Sequence, residues 1–242
     1  SSYTVVDTNF THVSNVDVLD LSLSSGADTL SLGTNFFNAG FNSVLLAAGA
    51  TAAENLTLTS AGTLSVTGGT GAETVNLSTF GNTVTVDNIT SVIGGATGND
   101  TVIVGGTAAQ SVGIDLVAGT DAVTITNTAH VTVTVSNVDT VTLADGGDKL
   151  LINAGVSTVI GGAGNDTIVS GTGADSISLG AGTDFVVVSS VAALTNDTIN
   201  GGLGTDTIQF IAGSSYTVAD TNFANVSNVD VLDLSLSSGA DT

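Results

Sequence analysis

The sequence predicts an all-β fold, a parallel β-solenoid (β-roll or β-helix) whose stacked coils hold about 18 residues each. Three observations carry that expectation: a long internal repeat, a nonapeptide repeat inside it, and a composition suited to short strands and tight turns. Of 242 residues 31 are Gly, and Pro, Cys, Met and Trp are absent. Apolar residues make up 42%, but only 4% are aromatic. Small β-branched residues between frequent glycines suit strands separated by turns.

The long repeat sets the domain organisation. Residues 1–29 read SSYTVVDTNFTHVSNVDVLDLSLSSGADT and residues 214–242 read SSYTVADTNFANVSNVDVLDLSLSSGADT. They differ only at Val6/Ala219, Thr11/Ala224 and His12/Asn225. Residues 1–213 are therefore read as one complete solenoid repeat unit and 214–242 as the start of the next tandem copy. Both ends are expected to be cuts in a longer array, continuous through Gly213–Ser214 without a flexible linker.

The short repeat sets the coil. From Leu116 to Val187 the chain lays out as eight consecutive nonapeptides. Their sixth positions are Asp121, His130, Asp139, Asp148, Ser157, Asp166, Asp175 and Asp184. Their fourth positions are Gly119, Thr128, Asn137, Gly146, Gly155, Gly164, Gly173 and Gly182, where glycine permits a tight turn. Their eighth positions run Val123, Thr132, Val141, Leu150, Val159, Ile168, Ile177 and Val186, the inward residue of a short strand. Nine residues cannot bury a core alone, so each strand must stack on its neighbours, two nonapeptides to a coil. The same grammar recurs less regularly in GGTGAETVN (68–76), GGATGNDTV (94–102), AALTNDTIN (192–200) and GGLGTDTIQ (201–209). Side loops are expected around 33–53 and 105–115.

Charge narrows the partners. Lys149 is the only Lys or Arg against 22 acids, for a net charge of −21. Such a chain is repelled by nucleic acid and by anionic membrane surfaces. A mean hydropathy of +0.47 argues against a disordered acidic chain. Without cysteine there is no disulfide staple, and no apolar run approaches the roughly 20 residues of a membrane helix. In an 18-residue coil Asp148, Asp166 and Asp184 stack on one edge, and Asp139, Ser157 and Asp175 on the other, together with Asp121. Carboxylates about 5 Å apart repel by roughly 3 kcal/mol at an effective dielectric of 20. A hard cation with oxygen ligands removes that cost.

The runs GGAGNDTIV (161–169), SGTGADSIS (170–178) and LGAGTDFVV (179–187) resemble the repeat-in-toxin (RTX) nonapeptide, GGxGxDxUx with U aliphatic. The resemblance implies a right-handed parallel β-roll with Ca²⁺ between turns. It makes Asp166, Asp175, Asp184 and Asp206 the metal-binding carboxylates. Gly161, Gly162, Gly164, Gly173, Gly182, Gly201, Gly202 and Gly204 become the turn positions whose carbonyls help hold the ion. Asp148, Asp197 and Asp100 sit in less complete versions of the motif.

Other chemistry is not supported. His12 and His130 are the only histidines; His12 becomes Asn225 in the second copy, and His130 occupies a position of the Asp column. Regularly repeated turn carboxylates do not supply the two differently tuned acids of a glycosidase. No enzyme activity is therefore expected. The triplets Thr124–Ile125–Thr126, Thr132–Val133–Thr134 and Thr140–Val141–Thr142 resemble the TxT arrays of ice-binding solenoids. The favoured expectation is a structural repeat of a giant secreted, calcium-stabilised extracellular fibre, an adhesin stalk or a surface-layer-like protein. Its partners would be neighbouring copies of the repeat, in the same chain or by self-assembly, with a cell-surface glycan as a further partner. The alternatives are a calcium-folded secretion and stability module of a secreted enzyme or toxin, and a glycan- or ice-binding face.

Overall fold

A computed structural model of the chain describes residues 2–46, 53–213, 215–239 and 241. The chain divides into two units, one of residues 1–106 with 110–124 and one of 107–109 with 125–242. Each is a parallel β-solenoid whose coils contribute one strand to each of two ladders, consistent with the right-handed winding that parallel crossovers adopt.

In the first unit one ladder runs Thr4–Val6, Thr29–Leu32, Asn55–Leu58, Thr74–Asn76, Ser91–Ile93 and Gln110–Asp115. The other runs Val18–Asp20, Ser43–Leu45, Gly62–Thr67, Asn82–Asp87 and Thr101–Val104. Alternation fixes which side chains turn inward: Leu30, Leu56, Val75, Val92 and Ile114 stand in register and are buried. Burying a side chain of this size contributes about 1.5–3 kcal/mol, so the stacked aliphatics hold the coils together.

In the second unit the ladders fuse at first. Val131–Thr142 and Lys149–Ile160 are 12-residue strands that pass from one face to the other. A register shift between Val135 and Ser136 marks the corner, where Asn137 and Gly155 both have positive φ. Thr167–Val169, Phe185–Val188, Thr207–Phe210 and Val231–Asp233 continue one face; Ser176–Ser178, Thr198–Asn200 and Val226–Ser227 continue the other.

The 18-residue period holds from Lys149↔Thr167 to Thr167↔Phe185 and Thr158↔Ser176. It recurs at Thr83↔Thr101 and Val138↔Val156, but over the chain coils range from the 17 residues of Thr132↔Lys149 to the 27 of Ile199↔Val226, and average about 21. Much of the extra length forms local helices that leave the strand register intact. Thr34–Asn38 is one, and Phe36 packs there against Phe10 and Phe41 at ring distances of 5.3 and 4.6 Å. This bears out an insertion only around the helix Thr34–Asn38, since Ser43–Leu45 is a ladder strand; residues 47–52 of the expected loop lie outside the described residues. The expected insertion at 105–115 is corrected, because Gln110–Asp115 is a ladder strand. The nonapeptide at 192–200 keeps its Asp197 and its strand from Thr198, but in place of a turn it opens on the helix Val191–Asn196, whose N-terminus is capped by the Ser190 hydroxyl. The three TxT triplets do not form one array, since Thr132 and Thr134 lie on one face of their unit and Thr140 and Thr142 on the other.

Candidate metal centre

Each Asp of the main column stands one residue before a strand, at the corner where the chain turns onto a face. In the second unit Asp148, Asp166, Asp184 and Asp206 are buried and stacked. The Asp148 N–H donates to Asp166 Oδ1 at 2.6 Å, Asp166 to Asp184 at 2.7 Å, and Asp184 to Asp206 at 3.0 Å. Their backbone carbonyls accept from the next strand start, Thr167, Phe185 and Thr207, at 2.8–2.9 Å. The carboxylate column thus extends the backbone ladder through a corner where backbone pairing alone would stop. A buried N–H without such an acceptor would cost about 1–3 kcal/mol.

The opposite edge repeats the device. The Asp175 N–H donates to Asp197 Oδ1 at 3.0 Å, and the Ser170 hydroxyl donates to Asp197 Oδ2 at 2.6 Å. In the first unit Asn82 donates to Asp100 and Asp100 to Asp121, at 2.8 and 2.7 Å. Glu73, longer by one methylene, instead closes its own loop by accepting from Gly69 and Gly71.

The second carboxylate oxygen separates the sites. Asp148 Oδ2 accepts the N–H four residues back, from Ala144 at 3.2 Å, and Asp166 Oδ2 accepts weakly from Gly162 at 3.4 Å. In the loops of Asp184 and Asp206 that residue is Gly180 or Gly202, with φ of +99° and +97°, the left-handed region that glycine favours. Oδ2 of Asp184 and of Asp206, and both side-chain oxygens of Asp175, are buried with no hydrogen-bond partner.

These oxygens sit in an unfavourable field. Burial pushes the Asp175 carboxyl up to about 6, with the Asp197 charge adding to it. Burial likewise raises Asp184 to about 6, against the Asp166 N–H and with the charges of Asp166 and Asp206. Burial also raises Asp100, Asp148, Asp166 and Asp197. The chain's single Lys or Arg cannot neutralise such a set.

The sequence-derived glycines fall into place around these columns. The loops at 161–164, 180–182 and 202–204 stack beside Asp166, Asp184 and Asp206, through Ala181 N–H to Gly162 O at 3.1 Å, Leu203 N–H to Gly180 O at 2.8 Å, and the pairing Gly182↔Gly204. Gly201 leads from the other face, its N–H on Ser227 O at 3.0 Å. Gly173 belongs with Asp175 and Asp197 on the opposite edge, and Asp100 lies in the first unit. Among the described residues no three Asp, Glu, His or Cys side chains converge as a metal-binding group. Any cation here must combine one or two carboxylates with backbone carbonyls, an all-oxygen set suited to a hard ion such as Ca²⁺. The unpartnered buried oxygens fit that ion.

One column assignment is corrected. The residue opposite Asp148 is Val131, whose N–H donates to Asp148 Oδ1 at 3.0 Å; His130 is exposed, with Nδ1 against the Gly147 carbonyl. The 17-residue coil displaces 130–135 by one position, which also turns Thr132 off the inward column. Sequence reading missed Asp28, whose Oδ1 accepts from Tyr3 N–H at 2.7 Å and Ser24 Oγ at 2.9 Å and whose Oδ2 is a further orphan. Its signal was SSGAD, which repeats at 237–241 and shares the G-x-D ending. It also missed Asp230, whose Oδ2 accepts from Asp206 N–H at 2.9 Å.

The family model of the RTX calcium-binding nonapeptide repeat matches residues 152–186 and 194–209, in four copies. No curated protein and no solved structure matches the chain.

Proposed function

From RTX calcium-binding nonapeptide repeats at 152–186 and 194–209, we propose that the chain is a calcium-stabilised, non-catalytic structural repeat of an extracellular fibre, an adhesin stalk or a surface-layer-like protein. Residues Asp175, Asp184 and Asp206, with carbonyls of the adjoining glycine loops, would hold the ions. Bound Ca²⁺ supplies positive charge to carboxylates that the fold has removed from water. The chain's own contribution is a rigid, hydrogen-bonded corner that places them. Low extracellular calcium would then loosen the corners and high calcium lock them.

The observation that carries the fibre reading is the recurrence of residues 1–29 at 214–242, because a module serving one enzyme does not need its own opening again. Tandem arrays of increasing copy number test it: scattering should show length growing in proportion to copy number at constant cross-section in calcium. Bead-like particles with bends between copies would overturn it.

A second reading, a secretion and stability module of a secreted enzyme or toxin, is supported by the same RTX repeats. The neighbouring reading frame discriminates: a catalytic domain beside one or two copies favours the module, and many consecutive copies favour the fibre.

A further inference from the structure

The two copies of the opening segment lie in different surroundings, and together they describe both of its faces. Internally they agree. Asp7–Phe10 and Asp220–Phe223 are both 3₁₀ turns, Val18–Asp20 and Val231–Asp233 are both strands, and Asn15 and Asn228 have φ of 56° and 51°. Val6 and Ala219 N–H donate to Asn9 and Asn222 at 2.8 and 2.7 Å, and Tyr3 and Tyr216 N–H to Asp28 and Asp241 at 2.7 and 2.8 Å. The segment therefore keeps its shape whichever side is covered.

Their pairings are complementary. The first copy uses the face towards the following coil: Val5↔Leu30, Leu19↔Val44, and the Asp7 carboxylate accepting from Gly33 and Phe36 N–H at 2.9 Å. The second uses the face towards the preceding coil: Val226↔Ile199 and Leu232↔Ile208, with Asn228 Nδ2 on Asn200 Oδ1 at 2.8 Å. Tyr216 lies on Phe210 at 4.4 Å between ring centroids, its hydroxyl on the Ile211 carbonyl at 2.9 Å, and is 5% exposed. The identical Tyr3 is 49% exposed.

We propose that the coil end formed by Thr198–Asn200 and Thr207–Phe210 is an acceptor surface for the opening segment, filled by residues 215–239 of the same chain and exchangeable for residues 2–26 of a second copy. The occupant is set by sequence identity: at Tyr3, Val13, Asn15 and Leu19 a second copy presents the same side chains as Tyr216, Val226, Asn228 and Leu232. Exchange frees 215–239, and each contact is head to tail, so it leaves another acceptor and another donor and does not close on itself. This rests on the paired registers and not on the fibre role, and a secretion module would exchange in the same way.

Cysteine pairs in the full chain, which has no cysteine of its own, test it. Asn200→Cys with Asn228→Cys should give an intramolecular disulfide, confirming the register. Asn200→Cys with Asn15→Cys should cross-link between chains only when the resident segment is weakened. Tyr216→Ser should raise that intermolecular product by about tenfold, the scale of losing one buried aromatic anchor. Adding Tyr3→Ser should return it to the starting level. Val226→Asp, reversed by Val13→Asp, repeats the comparison independently of the aromatic contact. Proteins that retain a β spectrum yet show no rise with either weakening variant, or a rise that Tyr3→Ser and Val13→Asp leave untouched, would overturn the proposal.

Discussion

The backbone N–H of Asp166 donates to the carboxylate of Asp184, one coil later, at 2.7 Å, while the other oxygen of Asp184 is buried with no partner. One side chain thus does two separable things. Its first oxygen continues the hydrogen-bond ladder around a corner, and its second is available to a cation.

Asp184→Asn separates those roles. The amide oxygen can still accept from Asp166, but the charge is gone. With chelator the variant should be as stable as the parent or more so, since a desolvated carboxylate has been removed. With calcium it should melt below the parent, by an amount corresponding to about 1–3 kcal/mol. Thermal unfolding in both media checks this; equal losses in both would mean that the charge has no cation to meet. Asp184→Ala should be destabilised in both, because the Asp166 N–H loses its acceptor.

The pH dependence follows from burial. The folded-state values of Asp175 and Asp184, about 6, lie above the ordinary carboxylate value of 3.8. The folded protein therefore binds these protons more tightly than the unfolded chain. That contribution is fully present below about pH 4 and is lost as pH rises through 6. Each group then lowers the stability of the metal-free fold at neutral pH, by less than its full shift because solvent screens it. In chelator the melting temperature should fall between pH 5 and pH 7.5. Calcium should remove or reverse the trend, since the ion requires the deprotonated oxygens. Asp184→Asn should flatten the chelator profile, which general repulsion among 22 acids would not. A chelator profile that rises towards neutral pH would contradict the burial argument.

Asp166 and His130 test the column assignment. Asp166→Ala removes the acceptor of the Asp148 N–H and the weaker one of Gly162, and should cost about 2 kcal/mol. His130 is exposed and off the column, so His130→Ala should change stability by less than about 0.5 kcal/mol. Denaturant titration of both variants in calcium is sufficient, and similar losses would mean that the ladder is not what stabilises this corner.

Much of this was legible because the physical requirements of a solenoid recur. Alternation in Thr167–Val169 or Asn82–Asp87 can satisfy only a strand with one buried face, and a glycine–aspartate turn every nine residues can return the chain only twice per coil. Three things were not legible. The helix Val191–Asn196 interrupts a segment that spells a nonapeptide, because VAALTN has helical propensity and Ser190 caps it, while the ladder tolerates any insertion that returns Thr198 to register. The one-residue slip at His130 is invisible to a gapless count, since Val131, Val133 and Val135 serve the inward face as well as Thr132 and Thr134 would serve it badly. The split between Asp166 and Asp184 coincides with a positive φ at Gly180 that Gly162 lacks, and both loops carry glycine there.

The glycines provide the last prediction. Gly182 has no room for a side chain, since a Cβ there would strike the carbonyl oxygen of Gly164 on the preceding coil, and in Gly161 it would strike that of Leu179. Gly213 differs: it has a φ of +100° with nothing within 4 Å of a Cβ. An alanine at 213 meets only the backbone cost of that conformation, about 1 kcal/mol. At 182 or 161 the coils must separate, which stretches the loop stacking and displaces the carboxylate beside it, at about 1–3 kcal/mol or more. Gly182→Ala should also weaken calcium binding at Asp184, because the separation moves the carbonyls that would share the ion, whereas Gly213→Ala should leave it unchanged. Calcium titration followed by calorimetry checks the pair. An unchanged affinity in Gly182→Ala, with its stability measurably reduced, would show that the glycine loops only space the coils and that the ion is held without them.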